Sequence, residues 1–283
     1  MLDWARFGPA SGVVMRSIVH LSDIHFGSVD PLVLEPLIEA INQLQPDLVA
    51  VSGDLTQRAR SYQFEQAREF LDQLPKPQII VPGNHDVPLH NVFSRFLKPL
   101  HKYRRYITDD LRPFYYDEEI AVMGVSTARS LTIKGGRINQ NQVTWMKERL
   151  CACDPELVKI VVTHHPFDLP EGHHERNLLG RARMAMEALA SCGADVFLAG
   201  HLHVGQTTHS ATRYRIKGHS ALVVQAGTAA STRSRGEANS FNVIRVERPH
   251  IAIERFEWQL DRGQFAMATR ERFRHTPDGW TRI

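Results

Sequence analysis

Ser17-Ile-Val-His-Leu-Ser-Asp23-Ile-His25 is a short apolar run that ends in two side chains able to hold a metal ion. The same grammar recurs along the chain. Asp47 to Val51 is followed at once by Ser52-Gly53-Asp54, and Ile79-Ile-Val81 runs into Pro82-Gly83-Asn84-His85-Asp86. Lys159 to Val162 leads into Thr163-His164-His165-Pro166, and Asp195-Val-Phe-Leu198 into Ala199-Gly200-His201-Leu-His203. Apolar runs this short, with little alternation, read as strands covered on both faces. Helical spacing lies between them: Val33, Leu37, Ile38, Ile41 and Leu44 within 31–45, then Phe64, Ala67, Phe70, Leu71 and Leu74 within 61–74, then a stretch around 181–192. Strand, helix and strand in alternation predict an α/β protein. From 206 onward helical spacing stops, and strands are expected near 212–217, 220–226, 240–247 and 250–258.

Composition narrows the class. At 283 residues and 42% hydrophobic the chain can bury one large core. No stretch approaches the ~20 apolar residues of a membrane helix, and Met1 to Gly12 lacks the apolar run of a signal peptide. Cys151, Cys153 and Cys192 are an odd set with no disulfide framework, so reduced thiols and a cytoplasmic setting are expected. No second Cys/His pair of zinc-site spacing accompanies Cys151 and Cys153. The net charge is +3, and the C-terminal arginines are mixed with acidic residues. That describes a solvated surface, so nucleic acid is not an expected partner. Residues 1–15 read as an unstructured leader with Met15 a second candidate start, and 16–260 as the main domain. Within it, the aromatic-rich insert 86–118 is a candidate cap, and 261–283 reads as a C-terminal extension.

The recurrence carries the chemistry. In α/β folds functional groups gather beyond the carboxyl ends of the strands. Residues two apart in an extended segment point the same way, so Asp23 with His25, and His201 with His203, can face one ion. Gly53, Gly83 and Gly200 stand just before Asp54, Asn84 and His201, where a crowded centre demands close backbone approach. Carboxylates, imidazoles and an amide oxygen suit Mn²⁺, Fe or Zn²⁺. His173, His174, His209 and His219 fall outside the pattern and read as surface or structural.

The ordered set Asp23-x-His25, Gly53-Asp54, Gly83-Asn84-His85-Asp86, His164-x-Pro166 and Gly200-His201-x-His203 resembles the calcineurin-like metallophosphoesterase superfamily over about 17–205. The resemblance implies a four-layer αββα sandwich of two mixed β-sheets flanked by helices. It also implies two divalent or trivalent metal ions (Mn²⁺, Fe²⁺/Fe³⁺ or Zn²⁺). One would rest on Asp23, His25, Asp54 and His203, and the other on Asp54, Asn84, His164 and His201, with Asp54 bridging. His85 would sit near the scissile phosphate without binding metal, and His165, in the unspecified position before Pro166, would lie beside the ligands. Apart from the resemblance, Asp86 stands next to His85 and is expected to orient it through a hydrogen bond. The implied activity is phosphodiester hydrolysis by a metal-bridging hydroxide.

Asp23-Ile-His-Phe26, His85-Asp-Val-Pro88 and the stretch 227–241 look most like bacterial class III cyclic nucleotide phosphodiesterases. A small phosphodiester of the 3′,5′-cyclic AMP type is therefore the expected substrate. Glycerophosphodiesters, other small phosphoesters and a nuclease of the same fold are the alternatives. A non-catalytic scaffold is disfavoured because every ligand position is filled. His165, Arg233 and Arg235 are candidate contacts to substrate, the two arginines because guanidinium suits phosphate oxygens. Beyond substrate, a homodimer is the one partner admitted.

Overall fold

The computed structural model describes residues 14–89, 92–130, 135–233 and 236–283, without the side chains of 92–94. The leader assigned to 1–15 thus falls outside the described residues except at Val14 and Met15, and Arg235 lies outside them too.

The first half runs β1 (Arg16–Leu21), α1 (Pro31–Leu44), β2 (Leu48–Val51), α2 (Ser61–Asp72), β3 (Gln78–Ile80), α3 (Val92–Leu97), α4 (His101–Tyr106), β4 (Phe114–Tyr116), β5 (Ile120–Gly124) and α5 (Gln140–Cys151). The second runs β6 (Val158–Val162), α6 (Ala182–Ala190), β7 (Ala194–Ala199), β8 (Gln206–His209), α7 (Ser210–Tyr214) and β9 (Leu222–Gln225). Four strands close it: β10 (Ser240–Glu247), β11 (His250–Gln259), β12 (Gln264–Thr276) and β13 (Gly279–Arg282).

The unbroken apolar character of the strands follows from burial on both faces. In β1, Ile18 points into the layer between the sheets, whereas Val19 and Leu21 point toward α1 and α2. In β6, Ile160 and Val162 face the inter-sheet layer while Val161 packs against α5 and α6. Seven strands form one sheet in the order β13-β12-β11-β10-β1-β2-β3, and six form the other, β4-β5-β6-β7-β9-β8. Both are mixed: β1, β2 and β3 run parallel while β10 joins β1 antiparallel, and β5, β6, β7 and β9 run parallel between antiparallel edges. With helices on each outer face, this is the four-layer αββα sandwich.

Helix starts follow local chemistry. Asp30 accepts from the Leu32 amide at 3.0 Å and Pro31 opens α1, while Asn139 and Gln142 form a capping box that opens α5.

Several expectations are corrected. The strand expected at 212–217 is instead the end of short helix α7 and the loop after it. Ser210, at its start, is pinned to Ala221 through both its amide and its hydroxyl, which turns the chain there. Residues 261–283 supply β12 and β13, the outer strands of the seven-stranded sheet. Trp280 is buried; its amide donates to the Ser220 carbonyl at 2.8 Å and its indole N–H to Asp195 at 2.7 Å, joining the two sheets. In the insert, Tyr103 of α4 is fully buried and donates to the Ile80 carbonyl, and Arg95 of α3 donates to the carbonyls of Pro88 and Ser130. The cysteines are not all reduced: Cys151 and Cys192 form a disulfide, leaving Cys153 free. Packing of α5 beside α6 brings their carboxyl ends together, with 4.7 Å between the two Cα atoms, although 41 residues separate them in sequence. Among the described residues no helix is long and apolar enough to cross a membrane.

Candidate metal centre

The site grows from the carboxyl ends of β1, β2, β3, β6 and β7. The chain leaves these strands in an uncommon conformation. Asp23, His25, Asp54, His201 and His203 have φ values of 53°, 56°, 53°, 74° and 60°. Non-glycine residues rarely adopt positive φ, and such strain clusters at functional sites. Asp23 and His25 are therefore not extended, as the i, i+2 argument assumed, yet both still face the centre. The turns brace one another: the Asp23 amide donates to the Gly53 carbonyl (3.1 Å) and the His25 amide to the Asp54 carbonyl (2.9 Å). Close approach explains two of the glycines. A Cβ on Gly83 would lie 2.1 Å from Asp54 Oδ1, and one on Gly200 would lie 1.7 Å from Ser22 Oγ.

Four of the seven expected ligands, Asp23, Asp54, His164 and His203, have one polar atom engaged by the surrounding protein and another left for the centre. Asp23 Oδ2 accepts from Ser22 Oγ (2.7 Å) and the His201 amide (2.9 Å), which frees Oδ1. Asp54 Oδ1 accepts from the His85 amide (2.9 Å), which frees Oδ2. His164 Nδ1 bonds the Ser52 carbonyl (2.8 Å) and His203 Nδ1 bonds Thr228 Oγ1 (2.6 Å), so both rings present Nε2 inward. Such outer partners fix ring orientation in metal sites.

Inside, His25 and His203 Nε2 lie 3.6 and 3.4 Å from Asp23 Oδ1. Asp54 Oδ2 stands between His25 Nε2 at 3.8 Å and His164 Nε2 at 3.4 Å. Asn84 Oδ1 is 3.1 Å from both His164 Nε2 and His201 Nδ1. All seven ligands expected from sequence converge, with Asp54 between the two subclusters.

The donor set fits metal ions. Asp23 Oδ1 and both ring nitrogens of His25 are buried without a hydrogen-bond partner. An orphaned carboxylate oxygen beside orphaned imidazole nitrogens is costly unless a cation completes it. Without metal, charge is balanced within the cluster. Burial opposes ionisation of Asp54, but His164, by charge and hydrogen bond, holds it well below the usual carboxylate range. Burial likewise opposes protonation of His164, and the Asp54 carboxylate overrides it and pushes the ring up. His201 is lowered to about 3 by burial and by the neighbouring charge on His164.

Other expected positions sort as follows. His165 is buried, with Nδ1 held by Thr127 Oγ1 at 2.8 Å and its ring centroid 4.6 Å from that of His201. It groups with His164 and His201 as a possible third donor there, all three ligand atoms lying within 4.8 Å of one another. Asp86 does not orient the His85 ring. Its carboxylate accepts from the amides of Gly83 (2.9 Å), Leu55 (3.2 Å) and Thr56 (2.8 Å), stapling the β2 and β3 turns together. Burial and the nearby Asp54 charge raise its pKa to about 6. The His85 ring is held instead by the Gln57 carbonyl, 2.9 Å from Nδ1. Arg233 Nη1 lies 3.3 Å from His85 Nε2 and 3.3 Å from Gln57 Oε1. Sequence reasoning missed Gln57, Thr127 and Thr228. None sits in a metal-like motif, and the Gln57 contact to His85 uses a main-chain atom that any residue would supply.

Comparison with known proteins agrees with this geometry. The family model described as calcineurin-like phosphoesterase matches residues 16–205, more than half of the chain. This chain belongs to the calcineurin-like phosphoesterase family. Among curated members, the glycerophosphodiester phosphodiesterase GpdQ of Enterobacter lignolyticus is 25% identical over 163 residues, covering 54% of this chain and 58% of that protein. A probable cyclic nucleotide phosphodiesterase of Synechococcus sp. is 26% identical over 169 residues, covering 56% of this chain and 60% of the relative. The match thus spans only about three fifths of either relative. A solved dimetal phosphatase from Danio rerio superposes with a TM-score of 0.61 at 14% identity, covering 90% of this chain and 98% of that one. At that identity it shows the calcineurin-like phosphoesterase fold alone.

Proposed function

We propose that this chain hydrolyses a small phosphodiester at a centre of two metal ions. One is assigned to Asp23, His25, Asp54 and His203, the other to Asp54, Asn84, His164 and His201. The supporting observation is the convergence of these seven side chains around unpartnered Asp23 Oδ1 and the unpartnered His25 ring. When bound, such ions acidify water and neutralise phosphoryl oxygens. Their identity is proposed from the donor set as Mn²⁺, Fe or Zn²⁺.

The protein's own part is positioning. Ser22, Ser52 and Thr228 hold Asp23, His164 and His203 in register, so little reorganisation is needed when substrate arrives. Arg233, beside the His85 ring anchored through Nδ1, gives the Asp54 side of the centre a cationic corner that suits a phosphate oxygen. Among small diesters, a 3′,5′-cyclic nucleotide is the proposed substrate, supported by the sequence resemblance and by the Synechococcus relative. The Enterobacter relative is named for glycerophosphodiesters, which makes that class the natural comparison substrate. The cytoplasmic setting expected from three reduced cysteines loses that support, because Cys151 and Cys192 are joined.

The test is hydrolysis by metal-free protein before and after loading with Mn²⁺. Substrates would be bis(p-nitrophenyl) phosphate and p-nitrophenyl phosphate, then 3′,5′-cyclic AMP, 2′,3′-cyclic AMP and glycerophosphocholine. Metal-dependent cleavage of the diester ahead of the monoester is expected, with 3′,5′-cyclic AMP preferred among the natural esters. Failure to cleave any of them, with two metals bound per chain, overturns the proposal.

A further inference from the structure

Three groups meet at the Asp54 side of the centre without a carboxylate among them. Gln57 follows the β2 turn and is fixed by its amide, which donates to the Phe26 carbonyl at 2.9 Å. Its carbonyl accepts from His85 Nδ1 at 2.9 Å, and its side-chain Oε1 accepts from Arg233 Nη1 at 3.3 Å. Arg233 Nη1 also lies 3.3 Å from His85 Nε2. One residue therefore sets the ring through its main chain and the guanidinium through its side chain.

The partners settle which atoms can donate. His85 Nδ1 faces a carbonyl and so carries the ring hydrogen. Nε2 faces a guanidinium N–H and so accepts. In this arrangement the ring has no N–H to offer a substrate, but Arg233 does. Its side-chain hydrogen bonds, among the described residues, all use Nη1 and go to Gln57 and His85, and no carboxylate pairs with it. Nε and Nη2 remain available to an anion. The Arg233 backbone is also pinned: its amide donates to Ser231 Oγ at 3.1 Å, and the Ser231 carbonyl accepts from Asn239 Nδ2 at 3.0 Å.

We propose that Gln57 is a positioning residue that aims Arg233 at the leaving-group oxygen of the phosphoester. This rests on the phosphodiesterase reading above. In the hydrolysis a water oxygen–phosphorus bond forms and the bond from phosphorus to the leaving oxygen breaks. The electron pair stays on the leaving oxygen, which takes up a proton from water and departs as the alcohol. Arg233 keeps its protons throughout and donates a hydrogen bond to the oxygen as charge builds on it. That bond matters most when the leaving oxygen is basic, and least for a leaving group already stable as an anion.

The test uses metal-loaded wild type and Gln57→Leu with two diesters that differ only in leaving group, ethyl p-nitrophenyl phosphate and ethyl phenyl phosphate. Gln57→Leu is expected to lower kcat for the phenyl ester about tenfold or more and for the p-nitrophenyl ester less than about threefold, with metal content unchanged. Arg233→Met alone should reproduce that leaving-group dependence, and it stands as the test if Gln57→Leu does not fold. Adding Gln57→Leu to Arg233→Met should cost little more, because both act through one contact. Equal losses on the two esters, or full additivity of the two substitutions, overturn the role of Gln57 and leave the phosphodiesterase reading standing. If wild type with two metals bound cleaves neither these esters nor any substrate named above, that reading falls and this inference falls with it.

Discussion

The layer between the two sheets and the polar cluster at the strand ends are buried alike, yet they are built on opposite terms. Ile18, Leu48, Ile160, Val162 and Leu198 are wholly inaccessible and lie in paired strands. A few residues further along the same strands, Asp23, His25 and His164 are equally inaccessible. There, Asp23 and His25 hold positive φ and leave polar atoms without partners. Burial therefore does not separate scaffold from site; conformation and polar satisfaction do. The apolar layer supplies the stability against which the strained, polar end is held.

The comparison can be broken by substitutions that should affect one region and spare the other. Asp54→Asn should abolish most diester turnover, by more than the ~10–100-fold typical of groups that only support a ligand. Its Oδ1 can still accept from the His85 amide, and His164 can surrender its proton once the opposing charge is gone. The Tm of the metal-free variant should thus move by less than ~4 °C, the shift that about 1 kcal/mol gives in a chain of this size. A large drop in Tm would mean that the site also carries the fold.

Ile160→Ala is the converse. It should cost ~2–5 kcal/mol in urea denaturation while leaving turnover per folded molecule within about twofold, as expected for a site whose own groups are untouched. Loss of bound metal in that variant would show that the two regions are not separable. The smallest effect is expected on chelation. A metal bound only by the folded state, at a hundred times its dissociation constant, adds ~2.7 kcal/mol. Removing it with a chelator should lower Tm in wild type and hardly at all in Asp54→Asn; equal shifts in both would place the stabilising ion elsewhere.

What was legible in the sequence follows the same division. The strands that bring the candidate ligands together were readable because burial on both faces leaves unbroken apolar runs, and the candidate ligands because aspartate, asparagine and histidine stood at their ends. The strand β12 was not. Its sequence Gln-Phe-Ala-Met-Ala-Thr-Arg-Glu-Arg-Phe-Arg-His-Thr buries Phe265 and Phe273 but otherwise carries mostly polar or small side chains, so it read as an appendage. The Cys151–Cys192 bond depends on how α5 and α6 pack, which no spacing encodes. Asp86 was placed beside His85 because they are neighbours in sequence, but its carboxylate turns toward the amides of the adjoining turns. The Thr228 contact to His203 was invisible because a side chain that orients a candidate ligand has no motif of its own, and the Gln57 contact to His85 because it uses a main-chain atom.

The pairing of β1 has a consequence for how the chain is made. Ile18 lies opposite Ile244, and the seven-stranded sheet is completed only by Gly279–Arg282. A nascent chain emerging from the ribosome amino end first would present β1 long before its antiparallel partner exists. Its apolar edge must wait for more than two hundred further residues. Pairings of such long sequence separation fold slowly and leave sticky edges exposed meanwhile. The domain is thus expected to reach its native form only after Gly279–Arg282 has emerged, with helper proteins or speed of synthesis, rather than final stability, governing yield.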